Sequence, residues 1–143
     1  MIAIPFEEKL MQKTLAIIKP DAVKKNVIGR IITRIEDEGF KIAAMRLMRL
    51  SADDAKAFYI VHKTRPFYQG LAAFMSSGPI VVLMLERDDA IARWRETMGA
   101  TDPAKAAPGT LRHDYGFDIE RNAIHGSDAP ETAEWELNFF FKS

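Results

Sequence analysis

The chain has 143 residues, of which 48% are hydrophobic and 28% are charged, and these values predict one globular domain with a substantial core. Twenty basic residues balance twenty acidic ones, so no overall positive charge would attract nucleic acid, and we expect no specific nucleic-acid partner. The absence of cysteine from the sequence excludes disulfides, thiolate zinc sites and cysteine nucleophiles.

The N-terminal residues and the hydropathy pattern favour a cytoplasmic protein. Residues 1–12 have no basic start followed by an apolar stretch, so they do not resemble a secretory signal. No apolar run approaches the ~18 residues of a membrane span, so we expect no contact with a membrane. We interpret residues 1–143 as one domain and residues 1–12 as a peripheral extension of it, with Met11 as an alternative start.

The first part of the chain predicts an alternation of strands and helices. In chain order, we expect a strand at 14–18, a helix from 28 to 39, a strand at 40–50, a helix at 51–62 and a helix at 67–76. The first helix has isoleucines at helical spacing and ends at Gly39. The second begins with Ser51 and Asp54 at the spacing of a capping box. Lys19-Pro20-Asp21 is expected to form a turn after the first strand.

The second part of the chain completes the predicted fold. In chain order, we expect a strand at 80–85, a helix at 88–98, a loop at 99–109, a short strand ending at His125 and a helix at 131–140. The loop is long enough to suggest a functional role. The order of elements predicts an α+β, ferredoxin-like fold: an antiparallel four-stranded sheet (βαββαβ) covered by helices, which we place on one face.

The familiar motifs of phosphate binding and hydrolysis are missing from the sequence. It contains no P-loop pattern, no G-x-G-x-x-G turn and no G-x-S-x-G elbow. His62, His113 and His125 lack metal-ligand spacing with one another or with carboxylates. Arg112-His113-Asp114 imitates part of a protein-kinase catalytic loop, but the other kinase motifs are absent, so we interpret this match as coincidence.

The segment from Arg121 to Pro130 is the most informative part of the sequence. His125 ends a short apolar step, Gly126 permits a tight turn, and the following residue types open helices. Because free N–H groups at a helix N-terminus stabilise anions, a histidine there could take up and hold a phosphoryl group. By itself, however, the pattern is more typical of a histidine that is satisfied in a turn.

The remaining candidates are also ambiguous when each is taken alone. Surface cations are usually solvated or ion-paired, and this applies to Lys19, Arg65, Arg95 and Arg112. Tyr59 and Phe67 are more typical of core aromatics than of ligand platforms. The residues alone therefore indicate only a possible phosphoryl carrier on a small α+β domain.

Six motifs in order give a more specific indication. They are Ile18-Lys19-Pro20-Asp21, Arg65-Pro66-Phe67-Tyr68, Ser76-Ser77-Gly78-Pro79, Met98-Gly99-Ala100-Thr101-Asp102-Pro103, Pro108-Gly109-Thr110-Leu111-Arg112 and Asn122-Ala123-Ile124-His125-Gly126-Ser127-Asp128. With these motifs the chain resembles nucleoside diphosphate kinases from about Lys13 to Phe141. The resemblance implies an enzyme that transfers the γ-phosphoryl group of a nucleoside triphosphate to a nucleoside diphosphate. It implies a ping-pong mechanism through a phosphohistidine, with little base specificity.

The resemblance also implies the catalytic roles. His125 would be the nucleophile, Lys19 would bridge a ribose hydroxyl and the terminal phosphate, and Glu136 and Ser127 would support the histidine ring. The cofactor would be Mg²⁺ carried by the nucleotide phosphates, without direct protein ligands.

The nucleotide contacts follow from the same resemblance. The implied phosphate contacts are Tyr59, Arg95, Thr101 and Arg112. Asn122 would contact the ribose. Phe67 would stack on the base, with Leu71 and Ile119 as apolar neighbours; stacking tolerates every base because each base has a π-face.

Small departures from the family pattern leave the assembly open. Asp102 stands where many members have Asn and Tyr68 where many have Phe, and we expect these changes to tune the site. The chain ends seven residues after Glu136, whereas many relatives continue with a segment used in subunit contacts. We therefore expect a homotetramer, as in short bacterial members, with a hexamer as the alternative.

Two other classes of function compete with this interpretation. A ferredoxin-like regulatory module that only binds nucleotides would not need His125. A phosphohistidine relay would keep His125 but transfer the phosphoryl group to a protein, and the ribose and base positions Asn122 and Phe67 argue against it.

Overall fold

The computed structural model describes residues 11–141, which form a four-stranded antiparallel sheet with helices on both faces. Its elements in chain order are β1 (Met11–Ile18), α1 (Pro20–Lys24), α2 (Ile28–Asp37), β2 (Lys41–Met48), α3 (Ala52–Phe58), α4 (Tyr68–Met75), β3 (Ile80–Asp88), α5 (Ala90–Met98), α6 (Leu111–Tyr115), β4 (Ile124–Gly126) and α7 (Pro130–Phe140). Short 3₁₀ turns lie at Ile60–His62 and Pro103–Lys105.

The order of the strands places the shortest strand beside a central one. The sheet runs β2-β3-β1-β4, and β1 pairs with β3 along its whole length, from Met11 opposite Asp88 to Ile18 opposite Val81. β4 has three residues and pairs with the end of β1, where His125 lies opposite Ile17. His125 therefore lies on an edge strand that is anchored to the middle of the sheet.

Both faces of the sheet are covered, so the prediction that helices cover one face is wrong. Alternate residues of β1 point to opposite sides: Ala16 and Ile18 belong to one core cluster, and Leu15 and Ile17 to the other. Helices α2 and α5 pack into the first cluster, and α3, α4 and α7 into the second. The physical reason is visible in the sequence, because an uninterrupted apolar strand must be buried on both sides.

The predicted strands and long helices are confirmed with small shifts of their ends. Ser51 caps α3, since its hydroxyl accepts from the Asp54 N–H at 3.0 Å. Gly39 follows α2 with φ +86°, a backbone conformation that favours glycine. The expected turn at Lys19-Pro20-Asp21 is instead the start of α1, in which Pro20 occupies the first turn.

The predicted loop at 99–109 is followed by a short helix, α6, that the sequence pattern does not predict. Asp102 begins the 3₁₀ turn, because its carboxylate accepts from the Ala104 N–H at 3.0 Å. Thr110 caps α6 through the His113 N–H. Both cap residues belong to the types that begin helices, but a helix of five residues has no apolar periodicity that would reveal it.

The extension expected at residues 1–12 is only partly within the structure. Residues 1–10 lie outside the described residues, whereas Met11 and Gln12 belong to β1. Gln12 is tied to the fold, since its side-chain oxygen accepts from the Ile91 N–H at 2.9 Å. Between residues 11 and 141 no helix is both long and apolar enough to cross a membrane.

Candidate active site

A cleft of about 390 Å³ brings together most of the residues singled out in the sequence. It is lined by Lys19, Tyr59, Phe67, Leu71, Thr101, Arg112, Ile119, Glu120, Asn122, Ile124 and His125. These residues come from the end of β1, the α3–α4 region, the connection between α5 and β4, and β4 itself. Of the expected site residues, Arg95, Ser127 and Glu136 do not line this cleft.

The imidazole of His125 is held by a carboxylate on α7. His125 Nε2 lies 2.9 Å from Glu136 Oε1, and the His125 side chain is 20% exposed. Because an ionised carboxylate only accepts hydrogen bonds, this contact places the ring proton on Nε2. The lone pair of Nδ1 is then available for chemistry.

Ser127 connects this pair to the sheet. Its hydroxyl donates to Glu136 Oε1 at 2.7 Å and accepts from the Leu15 N–H at 3.3 Å. Both Glu136 and Ser127 are buried. The series of hydrogen bonds from the Leu15 backbone through Ser127 to the His125 ring therefore fixes the orientation of the Glu136 carboxylate.

The backbone of β4 is held from the other side by α5. The indole N–H of Trp94 donates to the His125 carbonyl oxygen at 3.2 Å. A Cβ at Gly126 would lie 2.5 Å from Trp94 Cδ1 and 2.6 Å from Met98 Cε. Gly126 is thus required for the close approach of the Trp94 ring. It lies in β4 and does not form the tight turn that the sequence predicted.

The prediction that a helix opens shortly after His125 is confirmed, and the placement of its free N–H groups beside the imidazole stays a prediction. α7 begins at Pro130, and within the described part of the chain no side chain caps it. The Ser127 hydroxyl, expected to open the helix, is bonded to Glu136 instead. Positive charge in the cleft comes from the side chains of Lys19 and Arg112.

Lys19 is a buried cation at the end of β1. Its ammonium donates to the Glu120 carbonyl oxygen at 2.7 Å and to Asn122 Oδ1 at 2.8 Å. Burial lowers the pKa of Lys19 to about 8, although the nearby Asp21 carboxylate opposes this shift. The Lys19 ammonium therefore contacts neutral oxygens and no carboxylate within the described residues, so its charge is available to an anionic ligand.

Arg112 is buried and fixed by backbone oxygens. It donates to Gly99 O at 3.1 Å and Ile124 O at 2.9 Å, and its Nε has no partner within residues 11–141. Burial, together with the charge of Arg95, lowers its pKa to about 10. Arg95 itself is exposed and lies in an adjoining open depression with Thr110, close enough for its charge to act on Arg112.

A strained turn separates Asn122 from His125. Ala123 has φ +75°, and the Ile124 N–H donates to Asn122 O at 2.9 Å, which closes a three-residue γ-turn. Asp21 Oδ2 accepts from the Ala123 N–H at 3.0 Å, and the Lys19 N–H donates to Ala123 O at 2.8 Å. Such conformations persist only where the surroundings enforce them, and they concentrate at functional sites.

The Asn122 amide ties three segments of the cleft together. Its NH₂ group donates to Thr101 O at 3.0 Å and Ile119 O at 2.9 Å, while its oxygen accepts from Lys19. Asn122 therefore positions the loop at Thr101 and the segment at Ile119 relative to the buried ammonium.

The outer end of the cleft is apolar and open to solvent. Phe67 is 49% exposed and Ile119 is 63% exposed, and the His62 ring lies 5.2 Å from the Phe67 ring, centroid to centroid. Nearer His125, burial raises the pKa of the Tyr59 phenol and the Glu136 charge acts in the same direction, so the hydroxyl remains a donor. A flat aromatic ligand with an anionic tail fits this gradient from apolar mouth to cationic interior.

Sequence reasoning missed several residues that contact or shape the site. Phe58 packs edge-on against His125, with 5.5 Å between the ring centroids. Trp94 donates to the His125 carbonyl oxygen, Asp21 accepts from the Ala123 N–H, and Glu120 lines the cleft. Three of these residues lie next to predicted site residues in the sequence: Asp21 near Lys19, Phe58 beside Tyr59 and Glu120 near Asn122. This closeness was the available signal for them. Their contacts depend on tertiary packing, so spacing alone could not have selected them.

Comparisons with known proteins agree in pointing to one family. The family model described as "Nucleoside diphosphate kinase" matches residues 12–143. The nucleoside diphosphate kinase of Campylobacter concisus is 59% identical over 93% of this chain and 97% of its own length, and that of Nitrosococcus oceani is 57% identical over 94% of each.

Solved structures show the same likeness in three dimensions. The Aquifex aeolicus nucleoside diphosphate kinase superimposes with a TM-score of 0.91 at 46% identity, covering 93% of this chain and 96% of that one. The Halobacterium salinarum nucleoside diphosphate kinase, solved in complex with CDP, gives 0.89 at 41% identity, covering 92% and 88%.

Proposed function

The chain belongs to the nucleoside diphosphate kinase family, and from this membership we propose that His125 carries the phosphoryl group between two nucleotides. The protein is an enzyme that transfers the γ-phosphoryl group of a nucleoside triphosphate to a nucleoside diphosphate. It does so by ping-pong through a phosphohistidine and with little base specificity. One observation supports the assignment of His125 as the phosphoryl carrier. The His125 ring lines the cleft, and its Nε2 lies 2.9 Å from Glu136 Oε1.

The first half-reaction uses the free nitrogen of the ring. His125 Nδ1 attacks the γ-phosphorus, an N–P bond forms, and the bond from that phosphorus to the β–γ bridging oxygen breaks. The nucleoside diphosphate leaves with the electron pair. The ring becomes more positive during the attack, and the Nε2–H bond to the Glu136 carboxylate stabilises that charge. In the second half-reaction a β-phosphate oxygen of the acceptor attacks the same phosphorus, the N–P bond breaks, and its electron pair returns to His125 Nδ1.

The remaining groups of the cleft suit the phosphates. Phosphoryl transfer requires mainly positioning and charge neutralisation, which the buried cations Lys19 and Arg112 and the Tyr59 hydroxyl can provide. Thr101 lines the cleft and the exposed Arg95 lies in a separate depression, close enough for its charge to act on Arg112, and we propose both as further phosphate contacts.

We propose that the sugar and base occupy the rest of the cleft. Asn122 lies beside the Lys19 ammonium, so these two residues can share the ribose hydroxyls. The exposed ring of Phe67 offers a face on which a base can stack, flanked by Leu71 and Ile119. These three apolar side chains form no hydrogen bonds with the edges of a base, which agrees with a broad substrate range.

The family requires a divalent cation, and we propose that it is Mg²⁺. The polar side chains that line the cleft are two cations, two hydroxyls, one amide, the His125 imidazole and a single carboxylate, so they offer more groups to phosphate oxygens than to a metal ion. Within residues 11–141 no three His, Asp or Glu side chains are grouped to hold a metal ion. Mg²⁺ commonly binds through substrate phosphates and keeps several waters, and here it would neutralise phosphate charge.

Labelling of the free enzyme tests the role of His125. Incubation with γ-labelled ATP and Mg²⁺, without acceptor, should attach one acid-labile, alkali-stable phosphate to the protein. His125→Ala should lose both the label and all transfer while circular dichroism shows an unchanged fold. His113→Ala, which changes an exposed histidine outside the cleft, serves as the matched control and should be labelled normally. A labelled or active His125→Ala variant would disprove the assignment.

The assembly and the location of the protein remain proposals as well. We propose one domain over residues 1–143 that forms a homotetramer, with a hexamer as the alternative, and light scattering of the purified protein distinguishes them. A cytoplasmic location stays a prediction from the sequence.

A further inference from the structure

A carboxylate that has no partner among residues 11–141 lies at the outer end of the cleft. Glu120 lines the cleft together with Phe67, Leu71 and Ile119. Its backbone is engaged, since its N–H donates to Asp118 and its carbonyl oxygen accepts from Lys19. No donor among residues 11–141 forms a hydrogen bond or an ion pair with its half-buried carboxylate. The cleft thus contains an anionic acceptor that phosphoryl transfer does not use.

The carboxylate of Glu120 lies close to helix α4. A Cβ built on Gly70 would lie 3.4 Å from Glu120 Oε2, so the carboxylate lies against the helix at this glycine. Gly70 follows Phe67 by three residues, which is about 4.5 Å along a helix axis and nearly one turn. A base stacked on the exposed Phe67 ring would therefore have one of its edges within reach of the Glu120 carboxylate.

We propose that Glu120 is a specificity-determining residue that accepts a hydrogen bond from the exocyclic amino group of the base. This inference rests on the proposed function, because it requires the base to stack on Phe67. Adenine, cytosine and guanine carry such an amino group. Guanine adds an adjacent ring N–H, which gives two donors for two carboxylate oxygens. Uracil and thymine have one ring N–H between two carbonyl oxygens, and these oxygens repel a carboxylate.

The preference is small because the site is open. Phe67 is 49% exposed and Ile119 is 63% exposed, so a base bound here exchanges hydrogen bonds with water for a bond to Glu120. Such an exchange changes kcat/KM by about three- to tenfold. A closed pocket that reads base edges would reach roughly 10⁴-fold, which the family's broad substrate range excludes.

Two pairs of acceptors test the amino group, and the pair of GDP and inosine diphosphate isolates it. The enzyme is first phosphorylated and then mixed with CDP or UDP, and separately with GDP or inosine diphosphate, which differs from GDP only by lacking the amino group. The wild-type ratio of kcat/KM should be about three to ten in each pair, in favour of the amino-bearing nucleotide. Glu120→Ala should bring both ratios close to one. Glu120→Gln, whose amide oxygen still accepts but without charge, should give intermediate ratios.

The controls separate this inference from the proposed function. Glu36→Gln changes an exposed glutamate on α2, outside the cleft, and should keep the wild-type ratios. If wild-type ratios are one, or if Glu120→Ala keeps them unchanged while transfer proceeds to every base, the inference about Glu120 is wrong and the proposed function stands. If no nucleoside diphosphate accepts the phosphoryl group from the wild-type enzyme, the proposed function fails first.

Discussion

At the scale of single residues, Glu136 is the group on which the proposed reactivity of His125 depends most directly. Its carboxylate contacts His125 Nε2 at 2.9 Å and Ser127 Oγ at 2.7 Å and contacts no phosphate site. Glu136→Gln should therefore slow phosphorylation of His125 by roughly 10–100-fold, the usual effect of losing such a supporting partner. Nucleotide affinity should change little, and rapid-quench kinetics with labelled ATP measure both quantities.

A matched variant separates charge from orientation in this network. Ser127→Ala keeps the carboxylate but removes the hydroxyl that orients it, so we expect slowing smaller than that of Glu136→Gln. Wild-type phosphorylation kinetics in Glu136→Gln would show that the contact is structural, without affecting the assignment of His125.

Lys19 makes the pH dependence of the free enzyme predictable. Burial lowers its pKa to about 8, so the ammonium is charged below that pH and loses its proton above it. We expect kcat/KM, which reports the free enzyme, to fall as the pH rises above about 8. Lys19→Arg keeps its charge to much higher pH, so its kcat/KM, whatever its level, should not show this fall. A profile that is the same in both proteins would mean that another group titrates.

At the scale of elements, the contact between β4 and α5 holds the backbone that carries His125. A methyl group at Gly126 would approach Trp94 to 2.5 Å, so Gly126→Ala must displace either the indole or the strand. Overpacking of this kind costs about 1–3 kcal/mol. We expect Gly126→Ala to lower the free energy of unfolding by that amount and to reduce the rate of His125 phosphorylation.

Another glycine provides the control for this prediction. Gly29 lies in the exposed part of α2, where a new Cβ would meet nothing within 4 Å. Gly29→Ala should raise the free energy of unfolding by roughly 0.5–1 kcal/mol, because alanine favours a helix over glycine. Urea denaturation compares the two variants, and equal effects would contradict the steric account of Gly126.

At the scale of the whole molecule, the order of strands assembles the site. β1 is central, and Lys19 follows its last residue, while the short β4 pairs with that same end and presents His125. The connection between α5 and β4 returns Arg112 and Asn122 to this edge. Helix α7 then packs on the opposite face from α5 and places Glu136 beside Nε2 of the His125 ring. Lys19 from the start of the chain and residues 112–136 from its end thus meet at one edge of a sheet that is covered on both faces.

Local pattern was sufficient for much of the fold. The apolar run at 80–85, the isoleucines of α2 and the cap at Ser51 predict their elements from neighbouring residues alone. Helix α6 was missed because its five residues carry no apolar period. The covering of both faces was missed although the uninterrupted apolar runs of β1 and β3 indicate strands that are buried on both sides.

The sequence by itself determined which chemistry is possible. Its motifs identify the family and supply a histidine, cations and a stacking aromatic, and these identities follow from the order of residue types. Only the tertiary structure decided how they act. It assigned Nε2 of His125 to Glu136, buried Lys19 enough to lower its pKa to about 8, and left the Glu120 carboxylate without a partner among residues 11–141. Burial and hydrogen-bond geometry arise from contacts between residues far apart in the chain, and no local spacing records them.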